Sequence, residues 1–248
     1  MARADEYRST LRRLENWDPY LLKESGLPGP RGNIELAQVV AEKGSRQLFQ
    51  NYISYTSDRA PVNSPYEFLA FCGVLGFGRL LAEGDHSLLG MIRGFASDPR
   101  WRLREAVAMA LQKLGDSDMD QLIAYMKEWA DGTMLEQRAA AAALCEPRLL
   151  KTSDHAHSVL SILDRITSSV EQVPDRSDVN FRALRKGLGY CWSVAVVALP
   201  GQGKAMMERW MIQPDRDIRW IMNENLKKAR LTRMDEAWVR KCRNVLKG

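Results

Sequence analysis

The 248-residue sequence contains only four cysteines, and none of them forms a Cys-x-x-Cys pair. Neither a disulfide framework nor a zinc site is therefore indicated, and we expect reduced, buried thiols, no metal and no cofactor. The sequence also lacks a run of about 18 or more apolar residues, so no membrane span is predicted. Residues Met1 to Glu6 are polar and lack the apolar core of a signal peptide. We therefore expect a cytoplasmic protein.

Alternating runs of Val, Ile and Thr, which are the usual signal of β-strands, are scarce. Apolar residues recur instead at helical spacing, and Gly- and Pro-containing breakers separate the helical blocks. Single helices are predicted over residues 2–16, 34–55 and 216–230. Since short connections place successive helices antiparallel, the sequence predicts an all-α protein built from helical hairpins.

Three predicted helices begin with the same pattern, Asp-x-x-apolar-Arg, at Asp98–Arg102, Asp178–Arg182 and Asp215–Arg219. Asp is expected to cap the free amides of the first helical turn, and the apolar residue is expected to pack inward. A weaker fourth copy ends at Arg138, and the four arginines are separated by 36, 44 and 37 residues. One hairpin per ~40 residues is the period of HEAT and armadillo repeats.

A single hairpin of this kind cannot bury its own apolar face, so neighbouring hairpins must stack. The fold class predicted is therefore an α-solenoid of HEAT-like repeats, curved, with a concave face lined by the second helix of each hairpin. Residues 84–248 carry the repeats. Residues 1–83 are helical but show the repeat poorly, so we expect an N-terminal capping region in one continuous solenoid domain.

Positive charge is concentrated near the C-terminus. Residues 201–248 contain 12 Lys and Arg against 6 Asp and Glu, whereas residues 1–200 have a net charge of −1. A basic segment favours an anionic partner such as nucleic acid, and a solvated helix surface is the alternative. Two metal-like motifs fail. In the candidate calcium loop that starts at Asp116, Gln121 replaces the required Gly and Lys127 the required Glu. His155-Ala156-His157 lies beside a helix start, where such a motif is more often a pair of surface polar residues.

Four residues in three successive second helices form a more specific pattern. Trp101 and Glu105 are four residues apart on one helix face, Arg138 lies in a Gln-Arg-Ala-Ala segment, and Tyr190 follows Lys186-Gly187-Leu188-Gly189. These segments resemble the HEAT-like DNA glycosylases that excise alkylated purines. The family has Asp where this chain has Glu105, and Trp where it has Tyr190.

The resemblance implies that Trp101 and Tyr190 flank a cationic alkylated nucleotide, that Glu105 stabilises positive charge developing on the sugar, and that Arg138 holds a phosphate. If the protein is an enzyme, it is expected to be an alkylated-base DNA glycosylase. Five basic residues are predicted to contact the DNA backbone, namely Arg102, Lys186, Arg219, Lys227 and Lys228.

Two alternatives stay open beside this hypothesis. The repeated arginines Arg102, Arg182 and Arg219 commonly have a structural role in HEAT arrays, where such an arginine pairs with an Asp of the adjoining repeat. The whole protein is alternatively a non-catalytic scaffold whose groove binds a protein partner, since a fold does not by itself transfer a function.

Overall fold

The computed structural model describes residues 3–247, which form α-helices joined by turns and loops, with no β-strand in that range. The all-α prediction is therefore confirmed. The chain divides into two compact units, Met1–Ser117 and Asp118–Gly248, which we call the N-terminal unit and the C-terminal unit. The predicted capping region, residues 1–83, belongs to the N-terminal unit, and its capping role stays a prediction.

Each unit is a set of short helices. The described part of the N-terminal unit contains α1 (Arg3–Arg13), α2 (Asp18–Glu24), α3 (Ile34–Lys43), α4 (Arg46–Ile53), α5 (Pro65–Ala82), a 3₁₀ turn at His86–Leu88, α6 (Leu89–Phe95) and α7 (Trp101–Ser117). The described part of the C-terminal unit contains α8 (Met119–Trp129), α9 (Met134–Leu144), α10 (Ser153–Val170), α11 (Val179–Ala198), α12 (Pro200–Met211), α13 (Arg216–Leu226), α14 (Ala229–Met234) and α15 (Glu236–Lys247).

Helix α5 is the central helix of the N-terminal unit and packs against α3, α4 and α7. Among the described residues, it is long and apolar enough to cross a membrane by length and composition, but 72% of it is buried inside the protein. Two of its glycines permit close packing. A Cβ atom added to Gly76 would lie 2.3 Å from the Phe49 ring of α4, and one added to Gly78 would lie 2.4 Å from the Ala110 Cα of α7. Any larger residue would push α4 or α7 away.

Helix α11 has the corresponding place in the C-terminal unit, where it packs against α9, α10, α12 and α13. The buried Trp192 indole donates to the hydroxyl of Thr167 on α10 over 3.0 Å. The buried Asn225 side chain of α13 accepts from the Ser193 amide and donates to the Leu188 carbonyl, both over 2.8 Å. These bonds fix the register of α11 against its neighbours, because buried polar groups are costly to leave unpaired.

Two of the predicted helices, 34–55 and 216–230, are divided in the structure. Residues 34–55 form α3 and α4, because Gly44 is extended and a Cβ there would lie 2.5 Å from the Phe49 ring, while the Ser45 hydroxyl caps α4. Residues 216–230 divide into α13 and α14 because Lys228 has an extended backbone. The helix predicted over residues 2–16 is present as α1, which ends at Arg13.

The predicted capping by aspartate is confirmed in two repeats. Asp178 accepts from the amides of Asn180 and Phe181, and Asp215 caps α13 in the same way. Phe181 is fully buried as predicted, but the same prediction is wrong for Trp101, whose side chain is 44% exposed. The Trp101 indole in the first turn of α7 is therefore partly accessible to solvent.

Candidate functional site

Helix α7 forms one wall of a cavity of about 380 Å³ within the N-terminal unit. Helices α3 and α5 and the loop before α3 form the remaining walls. Apolar side chains predominate in the lining, which consists of Leu27, Pro30, Arg31, Gly32, Ile34, Phe68, Phe71, Trp101, Arg102, Glu105 and Met109. A mostly apolar pocket with a few polar groups is typical of small-ligand sites, and its volume is at the lower end of the ~300–1,000 Å³ range for such pockets.

Trp101 and Glu105 lie together in this cavity wall, as their spacing on α7 predicts. The Trp101 ring is 44% exposed, and Glu105 is partly buried and interacts with neighbouring groups. An aromatic face beside a carboxylate favours a cationic group, because both attract positive charge. A half-exposed indole differs from the simple core packing that is the usual role of tryptophan at helical spacing.

Arg102 has a structural role beside these residues. Its side chain is only 8% exposed and pairs with the fully buried Glu67 over 3.1 Å. It also donates to the Gly29 carbonyl over 2.7 Å, and its guanidinium carbon lies 4.4 Å from the centroid of the Trp101 ring. The guanidinium thus ties the loop before α3 to α7, as in the structural alternative stated for the repeated arginines. We leave Arg102 out of the proposed backbone contacts for this reason.

The sequence did not indicate that the N-terminal third forms part of this cavity. Leu27 and Pro30 come from the loop between α2 and α3, and Phe68 and Phe71 come from the first turns of α5. These residues carry no motif, and they approach α7 only through long-range packing. The dense Gly and Pro content of residues 26–32 was the available signal, since it marks an irregular loop next to a helical core.

In the C-terminal unit, the stem of Arg138 packs against α11 at Gly187. A Cβ atom at Gly187, one turn before Tyr190 on α11, would lie 3.3 Å from the Arg138 Cγ atom. The absence of a side chain at Gly187 thus lets the Arg138 stem cross α11. Tyr190 is 42% exposed. Trp101 and Glu105 thus share a cavity wall in the N-terminal unit, while Arg138 and Tyr190 belong to the C-terminal unit, and the predicted convergence of all four residues stays a prediction.

Two further cations surround Tyr190. The Arg230 guanidinium lies 4.6 Å from the ring centroid and donates to the Tyr190 hydroxyl over 2.5 Å. The Lys228 ammonium lies 5.9 Å from the same centroid. Arg230 was not among the predicted site residues, although it belongs to the basic C-terminal segment. Its role depends on a contact between α11 and α14, which no local pattern reveals.

The remaining predicted basic residues differ in their surroundings. Lys186 is exposed on α11. Lys227 is exposed but forms an ion pair with Glu224. Arg219 is partly buried and donates to the carbonyls of Met211 and Leu246, each over 3.0 Å. We call the surface formed by Arg138, Lys186, Tyr190, Lys228 and Arg230 the Tyr190 surface.

Two side chains of the C-terminal unit, the Asp215 carboxyl and the Cys145 thiol, have pKa values that differ from their ordinary ones. Burial acts to raise the pKa of Asp215, but the amides of Ile218 and Asp217 and the Arg176 guanidinium hold it below its ordinary value. The cap of α13 therefore keeps its negative charge under mildly acidic conditions. Burial raises the pKa of the Cys145 thiol well above its ordinary value, and contact with Cys191 adds to this.

All four cysteines are buried and unpaired. Within the described residues 3–247, no group of three His, Cys, Asp or Glu side chains is placed to hold a metal ion. His155 faces Asp120 at 3.2 Å and His157 faces Gln202 at 2.8 Å. The two imidazoles therefore have different partners. Neither takes part in the cavity or the Tyr190 surface.

No family model matches the chain, and no curated protein matches it. Among solved structures, the fold is similar to that of AlkD2 from Streptococcus mutans, known from an X-ray crystal structure. The match has a TM-score of 0.63, covers 85% of this chain and 96% of that chain, and has 18% sequence identity. The likeness confirms the predicted fold class, an α-solenoid of HEAT-like hairpins. It also confirms the resemblance at the level of the fold, while the roles of Trp101, Glu105, Arg138 and Tyr190 stay predictions.

Proposed function

We propose that this protein binds duplex DNA and removes alkylated purines from it. The observation that carries the proposal is the cavity of the N-terminal unit, in which Trp101 and Glu105 share one apolar wall. The Tyr190 surface supports the same conclusion from the C-terminal unit, since it combines cations with an exposed aromatic ring. The fold similarity to AlkD2 is consistent with this function. A cytoplasmic location is part of the same proposal.

The cavity suits a purine that alkylation has made cationic. Methylation at N7 or N3 places a positive charge on the ring, and a cation over an indole face gains roughly 0.5–2 kcal/mol. The volume of about 380 Å³ is sufficient for one base. A base that fills the cavity would displace water from the apolar residues of the α2–α3 loop and α5, which strengthens the attraction between the base and Trp101.

Glu105 would act when the glycosidic bond breaks. As the C1′–N9 bond breaks, its electron pair neutralises the alkylated base and leaves positive charge on the sugar. A fixed carboxylate stabilises that charge without reorganisation of solvent. Water then adds to C1′, and its proton passes to Glu105 or to solvent. The neutral base leaves, because the cation that held it against Trp101 no longer exists.

The Tyr190 surface would hold the DNA backbone. Arg138 and Arg230 supply planar guanidinium groups, which pair with phosphate oxygens through two parallel hydrogen bonds. Lys186 and Lys228 add point charges. Binding of this kind displaces counterions from DNA, so its affinity falls steeply as salt rises.

The test of DNA binding is fluorescence anisotropy with a labelled duplex over a salt series. If three phosphates are contacted, we expect affinity to fall about 40-fold between 50 and 200 mM salt, because log K falls by ~0.9 per contact per decade of salt. Lys186→Ala should reduce the salt slope by about 1. Lys151→Ala is the matched control, since Lys151 is also exposed in the C-terminal unit but lies outside the Tyr190 surface. Absence of binding at 50 mM salt would overturn the DNA proposal and favour a protein-binding scaffold.

A further inference from the structure

A second concave feature lies at the C-terminal helices, and none of its lining residues belongs to the Tyr190 surface. Between α13 and α15 there is a depression of about 330 Å³. Its lining includes three arginines and, among the described residues, no carboxylate. The six lining residues are Arg216, Arg219, Trp220, Asn223, Arg243 and Leu246.

Two of the three guanidiniums are held in place by backbone carbonyls. Arg219 donates to the carbonyls of Met211 and Leu246, both over 3.0 Å. Arg243 donates to the carbonyl of Leu226, the last residue of α13, over 2.8 Å. A guanidinium has five N–H donors, and among the described residues these bonds use two of them on Arg219 and one on Arg243. The carbonyls fix the positions of the cations without neutralising their charge.

Two carboxylates at the start of α13, Asp215 and Asp217, form their shorter ion pairs with Arg176 and Arg185, which do not line the depression. Asp217 is 5% exposed and pairs with Arg185 over 2.9 Å and with Arg176 over 3.3 Å. Asp215 pairs with Arg176 over 2.8 Å and caps α13. Arg216 lies 3.8 Å from Asp217, and its side chain is 85% exposed. The depression therefore keeps a positive potential. This potential is largest at low salt, because dissolved ions screen exposed charges.

We propose that this depression is a phosphate-binding site and that its ligand is a phosphodiester of the DNA backbone. Guanidinium groups match the tetrahedral oxygens of phosphate through paired donors. The Asn223 amide supplies one more donor, and Trp220 and Leu246 supply an apolar wall against which a deoxyribose packs. The identity of the phosphate source rests on the proposed function, whereas the anion site rests only on the three arginines.

The test compares Arg216→Ala with Arg233→Ala. Both residues are exposed arginines of the C-terminal unit, but only Arg216 lines the depression, and it makes no bond to a helix carbonyl that its loss would break. We expect Arg216→Ala to lower duplex affinity about fivefold at 0.15 M salt, the effect of losing one phosphate contact. Arg233→Ala should bind as the wild type does. The double variant Arg216→Ala/Arg243→Ala should lose a second contact and reduce the salt slope by about 2 in total.

A second measurement separates the site from the source of its phosphate. Inorganic phosphate should raise the melting temperature of the wild type and of Arg233→Ala above that in chloride of equal ionic strength, but not that of the double variant. Duplex binding that is equal in all variants would overturn the backbone subsite and leave the proposed function standing. If phosphate stabilises the protein through Arg216 and Arg243 but no DNA binds at any salt, the anion site stands. DNA is then not the molecule that supplies the phosphate. No phosphate effect on the wild type would overturn the site itself.

Discussion

Replacing Glu105 by glutamine is expected to slow the release of alkylated purines by about 100- to 1,000-fold, the usual cost of removing one preorganised electrostatic contact in a transition state. The amide keeps the size of the side chain but cannot offset positive charge on the sugar. Duplex affinity should change little, because the carboxylate does not attract the phosphate backbone. The readout is chromatography of 7-methylguanine and 3-methyladenine released from alkylated DNA.

The matched control is Glu105→Asp, which restores the residue that the resembled family has at this position. A carboxylate displaced by about 1 Å can alter the rate about 100-fold in either direction, so this variant separates charge from position. A wild-type rate in Glu105→Gln would exclude the proposed role of the carboxylate. No release by the wild type would exclude catalysis while leaving DNA binding to be judged from the salt series.

The second large effect is expected on stability. Arg102→Met leaves the Glu67 carboxylate without its cation, and Glu67 is fully buried. Removing one partner of a buried ion pair costs about 3–5 kcal/mol, because the remaining charge is uncompensated. The loop before α3 also loses its bond from Arg102 to the Gly29 carbonyl. Urea unfolding of the wild type and the variant measures the difference in free energy.

Two further variants test the cause of this loss. Arg240→Met removes an exposed arginine paired with Glu236 over 3.5 Å, and such surface pairs contribute about 1 kcal/mol or less. The double variant Arg102→Met/Glu67→Gln should recover part of the stability lost in Arg102→Met, because no buried charge is left unpaired. A loss below about 1 kcal/mol in Arg102→Met would show that the pair does not hold the cavity wall.

The sequence was sufficient for the fold class because the information is local. Asp178 and Asp215 cap their helices as the repeated pattern predicts, and the spacing of apolar residues identifies helices throughout. The breaks within the predicted helices 34–55 and 216–230 were missed because they depend on tertiary packing. Gly44 ends α3 where the Phe49 ring leaves no room for a side chain, and this contact cannot be read from helical periodicity.

The candidate site was predictable only in part. The spacing of four residues places Trp101 and Glu105 on one face of α7, and the structure finds both in one cavity wall. The opposite wall comes from Leu27 and Phe68, which are far from α7 in the sequence. Trp101 is half-exposed, although its place in the repeat predicts a side chain that packs inward. Its repeat position alone predicts burial, and only long-range packing leaves an open cavity beside it.

Recognition of a cationic purine is measured most directly by the ratio of two duplex affinities. One duplex carries a single 7-methylguanine, protected from release by fluorine at the sugar 2′ position, and the other carries guanine in its place. At equal salt, the wild type should prefer the methylated duplex about 2- to 30-fold, the range that a cation over an indole ring provides, and Trp101→Leu should lose the preference. Equal affinity of the wild type for the two duplexes would contradict the proposed occupant of the cavity.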